Sequence, residues 1–284
     1  MTDPLGTGPA LERRLERAEL RFYDALYAVA PDELREARGL ALDRDGELRR
    51  MTLSGFDHPL WNRVGGLGLS SPVSPLLLDE LTEHFREAGV RRFMLQLLPH
   101  VLDARVESGC RERGLVPLRG WAKHLGPTLD PSRPPSAAAT DLRIERIGPE
   151  RATEWAAIEL VGFELPGWLE PWLAATVGRP RFEHLLALDG DRPVAAALVF
   201  LDPPIAQLGF GATLPEVRGR GAQSALVLRR IELAAAAGCP WVATETDEEL
   251  PDRPNPSYHN QVRLGLPVRY VRANWGPPKP STPS

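Results

Sequence analysis

Cysteine is scarce in this 284-residue chain: Cys110 and Cys239 stand far apart and belong to no CxxC pair. That excludes a zinc or dithiol motif and fits a reducing compartment. Cys239, within AAAAGCPWVA, reads as a small buried residue. The six histidines, His58, His84, His100, His124, His184 and His259, show no metal-ligand spacing, so no metal is expected. Nothing approaches the roughly 18 uninterrupted apolar residues of a membrane span. The N-terminus lacks the basic-then-apolar order of a secretory signal, and a cytoplasmic location is expected. An excess of positive charge is also missing. A net charge of −4 argues against general nucleic-acid or membrane-surface binding and leaves room only for a local basic site. Nearly all basic residues are arginine, which with abundant alanine and proline reads as genomic composition bias.

Hydrophobic content of 43% and charged content of 25% are those of an ordinary globular protein. The length allows two medium domains or one large one. LDPSRPPSAAATD, residues 129–141, has almost no periodic apolar pattern and reads as a linker, while the closing GPPKPSTPS reads as a disordered tail. The N-terminus instead has the spacing of an amphipathic helix. After the linker the pattern is α+β. DLRIERI alternates as a strand, PERATEWAAIELVGF has helical spacing, and PGWLEPWLAATVG reads as a second short helix. RFEHLLALDGDRPVAAALVFL reads as two strands around Asp189-Gly190-Asp191, and IAQLGFGATL as a third. A long helix then runs to Ala237 with Gly238 as its stop, followed by strand PWVATET, helix NPSYHNQVRLG and strand PVRYVRANW.

The first half repeats this order more quietly. WNRVGGLGLSS aligns with AQLGFGATLPE, PLLLDELTEHFREAG with the long helix, and VRRFMLQLL with PWVATET. ARVESGCRERGL aligns with SYHNQVRLGL, and VPLRGWAKHL with PVRYVRANW. Five elements in one order point to duplication; the competing reading is that α+β folds share such rhythms. The first half has SSPVSP where the second has PEVRGRG, so a duplicated first half has lost whatever that motif does.

TLPEVRGRGAQSALVLRRIE places Arg218-Gly219-Arg220-Gly221 directly before the long helix. A helix start exposes unpaired N–H groups and the positive end of the helix dipole. Glycines let an anion approach that backbone, and arginines add charge-assisted contacts to phosphate oxygens. The stretch is not a Walker A loop, which needs GxxxxGK[ST], nor a GxGxxG fingerprint, because Gln223 and Ser224 follow Gly221 with no third glycine. An ordinary glycine turn with solvated arginines is the bland alternative.

In its context of strand, P-x-x-R-G-x-G, long helix, strand, short helix and strand, the segment resembles the GNAT acetyltransferase superfamily, whose signature R/Q-x-x-G-x-G/A wraps the pyrophosphate of acetyl-CoA. The resemblance covers 141–275 and only echoes over 20–125. It implies a tandem protein: a degenerate GNAT-like domain at 1–130, a linker at 131–140, a GNAT domain at 141–275 and a tail at 276–284. The implied fold is a mixed twisted α+β sheet flanked by helices, the acyl-CoA N-acyltransferase-like class. The implied cofactor-binding residues are Arg218, Gly219, Arg220, Gly221, Ala222, Gln223 and Ser224, with Thr213 beside the pantetheine arm and Asn255 and Asn260 on the following helix. Gln223 departs from the family's Gly or Ala. Asn255 stands ten residues before Gly265, where the family often has an Asn eleven before its terminal Gly, and Gln261 occupies the place of the family's usual tyrosine acid. Tyr258, about one turn earlier, is the substitute.

The implied activity is acyl transfer from acetyl-CoA, a co-substrate, to the amine of a small molecule or peptide, by direct attack. Such a transfer needs a neutral nucleophile, a stabilised oxyanion and a protonated leaving thiol. IAQLGFGATL holds no carboxylate, which leaves Glu245 on the neighbouring strand as the best-placed base; it can equally be a strand-end carboxylate facing water or an arginine. Asp247, His259 and Glu164 are weaker alternatives. Trp168 and Trp172, four apart, either border an apolar acceptor or pack in the core, and His184 reads as structural. A non-catalytic acyl-CoA-binding or sensing protein is the alternative, and a nucleotide-binding protein with other chemistry is a third. Either a monomer or a homodimer is compatible.

Overall fold

The structure, a computed structural model, describes residues 5–130, 133 and 139–279; most of the expected linker and the last five residues of the tail lie outside the described residues. The first half runs α1 (Gly8–Ala28), α2 (Asp32–Arg38), β1 (Leu40–Asp45), β2 (Leu48–Leu53), β3 (Arg63–Leu67), α3 (Pro75–Glu87), β4 (Met94–Leu97), α4 (Ala104–Glu112) and β5 (Val116–Pro127). The second half adds β6 (Arg143–Ile147) and then repeats that order. It runs α5 (Ala152–Gly162), α6 (Glu170–Ala174), β7 (Phe182–Asp189), β8 (Arg192–Phe200), β9 (Ile205–Thr213), α7 (Ala222–Ala236), β10 (Trp241–Asp247), α8 (Pro256–Arg263) and β11 (Val268–Gly276). Each half therefore carries helix, helix, three strands, helix, strand, helix, strand, which extends the five-element repeat by four.

The chain forms two compact units; two of their boundaries fall inside strands β5 and β11, the other two at the end of α1 and the start of α2. Unit 1 holds residues up to Tyr27, Asp32–Ala122 and the chain from Tyr270 onward; unit 2 holds Ala28–Pro31 and Lys123–Arg269. In unit 1 the strand order is β1-β2-β3-β4-β11-β5, so the last strand of the chain completes the first sheet. Ala273 pairs antiparallel with Leu97, and Trp275 with Leu95. In unit 2, residues Lys123–Pro127 of β5 lie beside β10, followed by β9, β8, β7 and β6. Each unit contains a parallel pair, β3 with β4 and β9 with β10, each with an antiparallel neighbour, β2 beside β3 and β8 beside β9.

The core of unit 2 follows from strand alternation. Val194–Phe200 of β8 is buried on both faces. Ala195, Ala197 and Val199, with Leu185 and Ala187 of β7, pack under α7 through Leu226, Val227 and Ile231. The opposite face receives α5, where Trp155 Nε1 donates to Ala197 O (3.1 Å) and meets the His184 ring edge-on at 4.6 Å. Each fully buried Leu, Val or Phe side chain here is worth about 1.5–3 kcal/mol. Trp172 of α6 is also fully buried, so of the two tryptophans considered for the acceptor this one belongs to the core. The β7–β8 turn is tight: Asp189 pairs with Arg192, and Gly190 takes φ +63° between them.

Unit 1 buries charge. Arg272 of β11, fully enclosed, donates to Glu16 and Glu19 of α1, with Nη1 at 2.8 Å from Glu16 Oε2 and Nη2 at 3.1 Å from Glu19 Oε1. Arg63 of β3 lies over the Tyr23 ring at 4.1 Å and near Trp121 at 5.2 Å.

Candidate functional site of the second half

The parallel ladder of β9 and β10 is short. Trp241, Val242 and Ala243 pair with Ile205, Ala206 and Gln207, and there the register ends, although β9 continues to Thr213 and β10 to Asp247. At the point of parting Thr244 Oγ1 donates to Leu208 O at 3.3 Å. Beyond it β9 is paired on its β8 side, with a bulge: Ala197 faces Gly211 and Leu198 faces Gly209, leaving Phe210 unpaired at φ +40°. A bulge bends its strand and breaks the ladder, so the two parallel strands splay. An extended ligand entering the split meets backbone donors and acceptors on the β9 edge, as in strand addition. Thr213, paired with Ala195, is the last residue of that edge.

β9 leads through the 3₁₀ turn Pro215–Val217 into Arg218-Gly219-Arg220-Gly221 and α7. The helix starts on Gly221, left-handed at φ +82°, and no side chain caps its first turn, formed by Ala222, Gln223 and Ser224. The two glycines serve different ends. Gly219, at φ +85°, has open space where a Cβ would stand. At Gly221 a Cβ would come within 1.8 Å of the Ala139 carbonyl oxygen, so this glycine admits the protein's own chain on its way into β6. Thr140 Oγ1 donates to Arg220 O at 2.6 Å in the same contact.

The two arginines also differ. Arg220 is gripped by Asp189 (2.6 and 3.2 Å) and Asp141 (2.8 Å), and those carboxylates raise its already high pKa. Arg218 is exposed, with no ion pair among the described residues. It is the guanidinium of the loop open to an incoming anion.

Gln223 faces α8. Its Nε2 donates to Ser257 Oγ (2.9 Å) and its Oε1 accepts from Asn260 Nδ2 (3.1 Å). Ser224 Oγ donates to Asn260 Oδ1 (2.9 Å), and Arg263 reaches both. Gln223, where the family pattern has Gly or Ala, is thus one end of a polar seam joining α7 to α8. Asn255 caps α8: its Oδ1 accepts from Ser257 N and Tyr258 N, while its Nδ2 donates to Asp247 O at 2.7 Å. Both polar ends of Asn255 are engaged.

Glu245 and Tyr258 stand on opposite faces of the sheet. Glu245 Oε2 accepts from Lys123 Nζ at 3.1 Å, and that lysine, rather than an arginine, is its buried partner. Thr246, next in the strand, points the other way, to His124 Nε2 at 3.1 Å. His124 Nδ1 donates to Leu266 O (2.9 Å), and burial lowers the pKa of the ring. Tyr258 meets the His124 ring edge-on at 5.3 Å. Tyr258 therefore shares its face with α7, and Glu245 shares the face of α5. Of the weaker alternatives, His259 pairs with Glu249 (3.1 Å), Asp247 is exposed, and Glu164 is an exposed left-handed residue at φ +53°.

Two charged residues that sequence reasoning missed lie beneath the bulge. Arg230 of α7 is buried; its Nη1 donates to Leu198 O, Gly209 O and Phe210 O at 3.0–3.2 Å, and burial lowers its pKa to about 10. Glu159 of α5 has no exposure, and its pKa is raised well above the carboxylate range by burial, against the opposing influence of Arg230 and the Gly211 and Ala212 amides. A glutamate inside the apolar run AAIELVGF and an arginine on the inner face of ALVLRRIEL were the available signals.

No family model and no curated protein matches the chain. Solved structures do. A GCN5-related N-acetyltransferase from Kribbella flavida superposes with TM-score 0.62 at 16% identity, covering 94% of this chain and 95% of its own. A tandem GNAT protein from the clavulanic acid biosynthesis pathway gives 0.58 at 18%, covering 93% and 92%. A GCN5-related N-acetyltransferase from Sphaerobacter thermophilus gives 0.56 at 17%, again covering 93% and 92%. These alignments span nearly the whole chain, both repeats included, and with the split strands and the uncapped glycine-arginine helix start they identify the fold as the tandem GNAT fold.

Proposed function

We propose that the protein is an acyl-CoA-dependent N-acyltransferase that moves acetyl from acetyl-CoA to an amine, with its site in the second half. The observation that carries this reading is the continuity of the β9 edge, left unpaired where β10 parts from it, with the uncapped start of α7. An extended pantetheine arm fits the first and a pyrophosphate the second. Arg218 and the open Gly219 suit the phosphates, with the Ala222, Gln223 and Ser224 amides of the first turn behind them. Bound acetyl-CoA would supply a thioester carbonyl for the amine to attack. Glu245 lies on the α5 face, where the acceptor approaches in this reading, and takes the proton from the amine; Tyr258 Oη, across the sheet, returns one to the thiolate.

The first half serves as a degenerate partner. Its helix start is closed by its own side chain, since Ser74 Oγ accepts from Leu77 N (3.1 Å), and its parallel ladder resumes after an irregularity at Leu67 and Leu97. The second reading, a protein that binds acyl-CoA without turning it over, is favoured by the separation of Glu245 from Tyr258 and by the engagement of Asn255 and Asn260 within the fold.

Calorimetry with CoA, ATP and NAD tests the binding, and thiol release from acetyl-CoA over an amine panel tests the transfer. CoA should bind and the nucleotides should not. Arg218→Ala should weaken CoA about tenfold or more, the worth of one charge-assisted hydrogen bond, and Arg220→Ala less, because Arg220 is already neutralised. Equal CoA affinity in the wild type and in the double variant would sink the site. CoA binding without thiol release over a broad panel would favour the second reading.

A further inference from the structure

Glu159 is the least accounted-for group in unit 2. It has no exposure, no side chain hydrogen-bonds either carboxyl oxygen among the described residues, and the polar groups that act on it are the Gly211 and Ala212 amides and Arg230. A buried polar group left unsatisfied costs roughly 1–3 kcal/mol, more when charged, so its retention calls for a reason. What covers it is also unusual. On α5, Trp155, Glu159 and Phe163 follow one another at four-residue spacing and share a face. The Phe210 ring contacts Trp155 at 6.2 Å and Phe163 at 6.1 Å between centroids, both edge-on, and so lies across the turn that carries Glu159. Phe210 itself is the bulged residue, in a left-handed conformation that a bulky side chain rarely adopts, between Gly209 and Gly211. Strain of this kind persists where function maintains it. Phe163, at the outer end, is 44% exposed.

We infer that Glu159, Trp155, Phe163 and Phe210 form a recognition site for the protonated amino group of an amine with an aromatic or alkyl body, with Phe210 as its cover. The ring faces suit a cation and the apolar stem behind it. Burial disfavours the Glu159 anion while the site is closed, and opening relieves that cost, so that the carboxylate becomes the charge partner of the ammonium that enters. Displacing the Phe210 ring, with glycines on both sides to absorb the backbone change, joins the two. Arg230 acts on Glu159 through space, but no ion pair forms between them, and the guanidinium is committed to the Leu198, Gly209 and Phe210 carbonyls from the α7 side. The role of this site as the acceptor site of acetyl transfer rests on the proposed function above; its affinity for amines does not.

The test is calorimetry on the full chain with 2-phenylethylamine and with 2-phenylethanol, its uncharged counterpart, and a CoA titration on the same sample. The amine should bind at least tenfold more tightly than the alcohol. Glu159→Gln should abolish that preference, with CoA affinity unchanged. Phe163→Ala, at an exposed position, should weaken the amine with no change in melting temperature, which keeps the test open if the Glu159 variant fails to fold. Equal binding of amine and alcohol, no binding of either, or an unaltered preference in folded Glu159→Gln would overturn the inference. CoA binding without amine binding sinks this site alone; amine binding without CoA binding upholds it and sinks the transferase reading.

Discussion

At the scale of the residue, Gly219 and Gly221 look interchangeable in RGRG and are not. Alanine at 219 would meet open space and cost only the left-handed backbone, about 1–2 kcal/mol. Alanine at 221 would add a collision with the Ala139 carbonyl that no side-chain movement relieves. Thermal melts should show a modest loss for Gly219→Ala and a much larger one for Gly221→Ala. Comparable losses would mean that the chain leading into β6 does not pack there. His184 gives a pH prediction. Its Nε2 is held by Thr176 Oγ1 (2.8 Å) and burial drives its pKa to about 3. The folded pKa lies below the unfolded value of about 6.5, so the contribution is complete above pH 6.5 and erodes as pH falls toward 3, at up to about 1.4 kcal/mol per unit. Urea unfolding at pH 7, 5.5 and 4.5 should show a shallower decline in His184→Gln than in the wild type; parallel curves would contradict the assignment.

At the scale of the element, most of the second half was legible because its periods are clean. Alternation marked β6 to β9, alanine and leucine spacing with Gly238 marked α7, and Asp-Gly marked the β7–β8 turn. The β1–β2 hairpin escaped notice although Asp45-Gly46-Glu47 offers a similar turn signal, with Gly46 at φ +56°. Its strands, ALDRD and LRRMT, carry charges that dull the alternation. The uncapped start of α7 could be placed from residue types, since Arg and Gly before a helix have few physical uses. The Phe210 bulge could not: it depends on how β8 and β9 fall into register. Nor could the opposition of Glu245 and Tyr258, set by which face of β10 each neighbour occupies. Asn255 followed by Pro256 is also the local signal of an N-cap, and that is the place it takes at the start of α8.

At the scale of the whole molecule, unit 1 depends on a charge brought from the far end of the chain. Arg272→Met would leave Glu16 and Glu19 buried without a cation, an error that typically costs about 3–5 kcal/mol. Replacing all three by apolar residues of similar size should recover most of that loss, because their desolvation is removed with the pairing. Chemical denaturation of the single and triple variants checks this, with CoA affinity as the control that unit 2 is intact. If the single variant is as stable as the wild type, the buried cluster is not a stabilising one.

The same strand sets the order in which the protein can be made. Unit 2 receives Lys123–Pro127 of β5 early in translation and can close once Arg269 has emerged. Unit 1, though synthesised first, has β4 as an open edge until Tyr270–Gly276 is released. Roughly 175 residues separate the two, about 9–35 s at about 5–20 residues per second. For that interval the nascent first half exposes an apolar strand with unpaired backbone, the kind of edge that pairs with a neighbour's. Newly made chains should therefore draw on chaperones through their N-terminal half, the reverse of the usual vectorial order in which the first domain is the first to be finished.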